Sequence, residues 1–135
     1  MAPFLAAFAI VVVILIAIGL LNFFDDEEPP LNQQVARAAV GQNDALQRRS
    51  YADFRGYTCR NDQSNENDVL AQQRDSVGKH GERYVDDITD VVIDGDNATA
   101  KVTYHFDKAP DTKAAVDMTF VREDGAWKVC SPGPR

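Results

Sequence analysis

The side chains able to exchange protons near neutral pH are few. His80 and His105 are the only two histidines, and Tyr104 stands beside the second. General acid–base work needs two such groups on one face, with matched proton affinities. His105 and Tyr104 are neighbours in a segment of period two, so they point to opposite sides of a strand. No acid in that strand shares the face of Tyr104, and His80 sits between Lys79 and Gly81 at a helix end, where a surface role is expected. The reading from these residues is therefore that the chain is not an enzyme. Metal ligation is also not indicated. The histidines lie 25 positions apart and Cys59 and Cys130 lie 71 apart, which matches no compact ligand spacing. No glycine-rich phosphate loop or nucleophile elbow is present, and no cofactor is expected. Asn97-Ala98-Thr99 reads as a glycosylation sequon by its letters, but it falls on a hairpin that uses Asn for its turn. Tyr51, Phe54, Tyr57, Tyr104, Phe106, Phe120 and Trp127 could line an apolar pocket, although a small domain needs such residues to fill its core.

The elements that must position these residues follow from composition. The chain has 135 residues, enough for one small domain, and a net charge of −7, which argues against a nucleic-acid partner. All 14 basic and 21 acidic residues fall after residue 24. Phe4 to Phe24 is an apolar run that, at about 1.5 Å per residue, makes roughly 31 Å of helix, close to the hydrocarbon thickness of a bilayer. It lacks the basic start and the small-residue cleavage site of a signal peptide, so residues 1–24 are expected to be an uncleaved transmembrane anchor. Ala6, Ala7, Ala17 and Gly19 are small enough to let another membrane helix approach closely. Asp25-Asp26-Glu27-Glu28 and Pro29-Pro30 form an acidic, stiff spacer over residues 25–30. The first basic residue after the span is Arg37, and the positive-inside rule then leaves the N-terminus cytoplasmic and residues 31–135 outside the cytoplasm.

Within 31–135 the pattern predicts helices first and strands afterwards. Leu31 to Val40 carries Leu31, Val35, Ala38 and Ala39 on one helical face. Gly41-Gln42-Asn43-Asp44 reads as an interruption, with Asn43 or Asp44 capping a second helix from Ala45 to about Tyr57. Asn61 to Glu66 has no apolar residue and reads as an exposed loop. A third helix over Asn67 to Lys79 is expected to bury Val69, Leu70 and Val77 and to stop at Gly81. From Arg83 the period is two. Val91 and Ile93 lead into the turn Asp94-Gly95-Asp96-Asn97, which tolerates the positive φ of a tight hairpin. Ala98, Ala100, Val102, Tyr104 and Phe106 face one way in the next strand. Lys108 to Thr112 reads as a looser connection, Lys113 to Arg122 as a third strand and Ala126 to Ser131 as a fourth. The expected class is α+β, with a four-stranded antiparallel sheet curved around the first helical segment.

This ordering resembles the cystatin-like, nuclear-transport-factor-like cone, and more narrowly the lumazine-binding-like branch in membrane-anchored actinobacterial proteins. The residues that carry the resemblance are Val35 to Ala39, Asn43-Asp44, Tyr51 with Cys59, Ile93 to Ala98, and Gly125 to Cys130. The resemblance implies an accessory or assembly subunit of a membrane complex, with the actinobacterial respiratory cytochrome supercomplex favoured. The alternative is an accessory protein that binds an apolar ligand in a lipid transporter of the mammalian-cell-entry type. It also implies a Cys59–Cys130 disulfide, in agreement with an even cysteine count in an oxidising compartment. Two buried free thiols are the other possibility.

Overall fold

The structure, a computed structural model, describes residues 28–135. The expected anchor, with Ala6, Ala7, Ala17 and Gly19, lies outside the described residues. Among the described residues no helix is long and apolar enough to cross a membrane.

Helix α1 spans Leu31–Gln47 and buries Val35, Ala38, Ala39, Gln42, Asn43 and Ala45 along one stripe. It runs straight through Gly41 to Asp44, where the sequence pattern suggested a break. The reason is tertiary. Gln42 donates from Nε2 to Thr58 Oγ1 at 2.9 Å, and Asn43 donates from Nδ2 to the Arg83 carbonyl at 3.0 Å. Side chains that would otherwise compete with the helix are thereby occupied by distant partners. Gly41 lets the Tyr57 ring lie directly against the helix, since a Cβ there would meet that ring at 2.5 Å and displace it. Leu31, expected on the buried face, is 42% exposed.

The chain turns at Arg49, whose φ is 58°, and helix α2 occupies only Tyr51–Gly56. Its cap is Ser50, not Asn43 or Asp44: the Ser50 hydroxyl accepts from the Asp53 amide. A 3₁₀ turn over Arg60–Asp62 precedes helix α3, Glu66–His80, which Asn65 caps and Gly81 ends at φ 80°. Val69 and Gln73 are its buried residues, while Leu70 and Val77 are half-buried.

Four strands follow: β1 Arg83–Asp94, β2 Asn97–Phe106, β3 Ala109–Glu123 and β4 Ala126–Val129. They form one antiparallel meander in the order β1-β2-β3-β4. The looser connection expected over Lys108 to Thr112 is absent, because β3 already pairs with β2 at Phe106–Ala109. Strand β1 carries two bulges, between Val85 and Asp87 and between Thr89 and Val92. Each adds one residue to β1 relative to β2, so Val85, Ile88 and Ile93, which a strict alternation would divide between faces, stay opposite Tyr104, Val102 and Ala98.

The outermost strands, β1 and β4, both pack against α1, so the sheet curves around that helix. The core between them is Val35, Ala38 and Ala39 from α1 with Ala98, Ala100, Val102, Tyr104, Met118, Phe120, Trp127 and Val129 from the sheet. A smaller cluster of Ala45, Phe54 and Val69 joins the three helices. Strand β4 is held from its free edge by the segment after α2: Cys59 N donates to the Val129 carbonyl at 2.9 Å and Val129 N to the Tyr57 carbonyl at 2.7 Å. Cys59 and Cys130 form a disulfide there, with Cα atoms 5.1 Å apart. The architecture is an α+β cone in which one antiparallel sheet wraps the long helix.

Candidate functional site

The open side of the cone, between the helices and the chain end, holds a cavity of about 280 Å³. Its walls come from every helix, from Arg83 at the start of β1 and from Ser131 to Arg135. Phe54 is the one member of the expected aromatic set that lines it. Tyr104, Phe120 and Trp127 are consumed by the core, and polar side chains such as Gln42, Asn61, Gln72, Gln73 and Ser76 line most of the cavity. Only Leu46, Phe54 and Val69 offer sizeable non-proline apolar surface.

Arg83 is the unusual wall residue, because it is only 5% exposed. Its Nε donates to Asn43 Oδ1 at 2.8 Å and Nη1 donates to the Pro134 carbonyl at 2.8 Å. The guanidinium lies over the Tyr104 ring, 4.5 Å from the centroid. No carboxylate pairs with it among the described residues, and Nη2 has no hydrogen-bond partner there. Burial lowers the proton affinity of the guanidinium, the neighbouring Tyr104 opposes that shift, and Arg135 adds to it. Burial likewise raises the pKa of Tyr104, whose hydroxyl donates to Met118 Sδ at 2.9 Å. Gly133, at φ 71°, lets the chain end come this close: a Cβ there would meet Arg83 Nη1 at 2.8 Å.

Sequence reasoning passed over Arg83. An arginine in an inward position at the start of a strand was its only signal, and nothing in the local pattern shows that its partners lie some 40 and 51 residues away.

The outer face of the sheet carries a second constellation. His105 does point away from the core, and there it meets an acid after all. Its Nδ1 lies 2.7 Å from Asp86 Oδ1, while Lys113 Nζ donates to Asp86 Oδ2 at 3.0 Å. Tyr84 stacks on the imidazole with ring centroids 5.0 Å apart. Asp86 is the extra residue of the first β1 bulge, which is why an alternation-based reading missed the pair. His80 stays exposed and tilts against Phe106 at 5.2 Å.

Lys113 first and His105 second hold the Asp86 carboxyl below its ordinary range. The unfolded state then binds more protons than the folded state as the pH drops through the carboxylate range. The contribution of Asp86 to stability is present above the unfolded value of about 3.9 and is lost as pH falls through the lower folded one. Asp86→Asn is expected to flatten this part of the acid limb in thermal midpoints measured from pH 5 to pH 2. The effect is expected to be small, since the cluster lies on the surface.

Comparison with known proteins bears on the fold and the family. A sequence search of curated proteins finds no match. Among solved structures, the chain is similar to one from Campylobacter jejuni provisionally named an NTF2-like transpeptidase. The identity is 14% and the TM-score 0.47, covering 70% of this chain and 94% of that one. It is also similar to one from Streptomyces avermitilis provisionally named a dehydratase of the NTF2-like family. Here the identity is 15% and the TM-score 0.49, covering 72% of this chain and 88% of that one. Both similar structures carry the names of enzymes, against the expectation that the chain is not one. Likeness at such identities concerns the fold and assigns no reaction. Residues 61–131, from the 3₁₀ turn to the end of the disulfide-linked strand and more than half of the sequence, match the family described as low molecular weight antigen MTB12, C-terminal domain, and the chain belongs to that family.

Proposed function

We propose that this protein is a membrane-tethered accessory subunit whose cone domain sits outside the cytoplasm and docks on the outer face of a larger membrane complex. The Cys59–Cys130 disulfide is the observation that carries this reading, because such cross-links persist in oxidising compartments. The apolar run from Phe4 to Phe24 and its acidic flank support the same placement. A short tether confines the domain to membrane neighbours and raises their effective concentration, so a modest interface can stay occupied.

Two kinds of complex come from the resemblance of the sequence, and the cavity favours one of them. Carrying a lipid tail calls for an apolar chamber. Here the aromatic side chains fill the core, and the cavity of about 280 Å³ is lined mainly by amides, hydroxyls and charged groups. That supports the respiratory cytochrome supercomplex over a lipid transporter. Purification of the tagged full chain in mild detergent is expected to bring cytochrome subunits with it, and deletion to lower oxygen consumption. Impaired lipid import with unchanged respiration and unchanged supercomplex migration on a native gel would reverse the choice.

A further inference from the structure

We propose that the cone cavity binds a small neutral molecule of the amide or urea class, whose N–H groups donate to the side-chain carbonyls of Gln42 and Gln73. This does not depend on the docking partner proposed above. Both side chains line the cavity, and they are only 3% and 9% exposed. Each amide is turned by a relay of hydrogen bonds. Thr58 gives its one hydroxyl proton to the Phe54 carbonyl at 2.7 Å, so its oxygen can only accept, and the Gln42 NH2 faces it at 2.9 Å. On the other wall the Arg83 backbone N–H donates to Gln47 Oε1 at 3.4 Å, and the Gln73 NH2 donates to that same atom at 3.1 Å. In both relays the protein engages the donor half of the amide and leaves the carbonyl half over.

Neither carbonyl accepts a hydrogen bond from a described residue, yet neither is sealed from water. Among the described residues, the sealed and unpartnered atoms of buried side chains are Arg83 Nη2 and Trp127 Nε1. The Gln42 and Gln73 carbonyls are therefore accessible, and on side chains this buried the accessible surface is the part bordering the cavity. Two acceptors of fixed direction, one on α1 and one on α3, thus meet the cavity with no donor of the protein's own. A ligand that covers them without donating would leave both unsatisfied.

Charge narrows the class of ligand. An anion would meet carbonyl dipoles of its own sign. Arg83 offers it no donor, because Nη2 is sealed and Nε and Nη1 are committed to Asn43 and the chain end. A cation would add to the repulsion already acting between Arg83 and Arg135. A neutral donor avoids both costs. A hydroxyl has one proton to give, whereas an amide or urea end has two or more, enough for both carbonyls. Leu46, Phe54 and Val69 can cover a short apolar body. The volume of about 280 Å³ lies close to the lower edge of the range of about 300–1,000 Å³ for small-molecule sites.

The test is titration of the purified full chain with phenylurea and with its fully N-methylated counterpart, which keeps the ring and the carbonyl but has no N–H. Binding is followed by NMR of the side-chain amide groups and by thermal shift. Phenylurea is expected to bind saturably, at least about tenfold more tightly than the methylated compound, and to move the Gln42 and Gln73 NH2 signals. Benzoate and protonated benzylamine are expected to bind at least about tenfold more weakly than phenylurea. Gln42→Met and Gln73→Met each remove one carbonyl at nearly constant volume and are each expected to weaken phenylurea binding by about tenfold. Ser76→Trp keeps both carbonyls, fills the cavity from α3 and is expected to abolish binding. Should a variant fail to fold, the NH2 signals of the parent protein still decide. The proposal is overturned by failure of phenylurea to saturate, by equal binding of the methylated compound, by NH2 signals that stay in place, or by binding undiminished in a folded variant. Tighter binding of benzoate or benzylamine would overturn the assignment of a neutral ligand.

Discussion

Replacement of Cys59 and Cys130 by serine is expected to destabilise the cone domain by about 4 kcal/mol. The cross-link closes a loop with a sequence separation of 71. In the chain-entropy account, loops of about 15 and 100 residues give roughly 3 and 4.7 kcal/mol, and this one falls between them. Its position increases the consequence. Strand β4 has four residues, pairs with β3 on one side only, and is held on the other by Thr58 and Cys59. Opening the disulfide loosens the edge that carries Trp127 and Val129 into the core. Urea unfolding of the double-serine protein beside the parent, with and without reductant, measures the loss. A parent midpoint unaffected by reductant under unfolding conditions would show that the bond contributes nothing to stability.

Phe120→Ala is expected to cost about 3–5 kcal/mol, the range for deleting a fully buried aromatic ring. Phe120 is 1% exposed and lies opposite Ala98 on β2 and Val129 on β4. The ring therefore spans the middle of the sheet, beneath the α1 residues Val35, Ala38 and Ala39. Its small neighbours cannot expand into the space it leaves, because alanine has no rotamer to change. Calorimetry is expected to show a fall in the midpoint on the order of 10–30 °C for a domain of this size. Val116→Ala, on the same strand but only half-buried, serves as a comparison and is expected to lose far less.

How much of this molecule is legible in its sequence depends on how far apart the interacting residues are. The alternation from Ala98 to Tyr104 and the Asp94–Asn97 turn appear in the structure as the sequence pattern requires, because strand period and turn chemistry are local properties. The stop of α3 at Gly81 is equally local, since it rests on a positive φ that glycine adopts without strain. Helix–strand order, and with it the α+β class, follows from these pieces. Tertiary structure alone decided the rest. Continuity of α1 across Gly41 to Asp44 depends on Thr58 and Arg83, residues 16 and 40 positions away. The bulge that brings Asp86 to His105 keeps Val85 and Ile88 on a common core face, a requirement visible only once β2 is in place. The burial of Arg83, and therefore the candidate site, is set by Asn43 and Pro134 closing on it from opposite ends of the domain. Local pattern records the conformation a segment prefers. A long-range hydrogen bond can outweigh that preference, because a buried polar group left without its partner costs more than the preference itself provides.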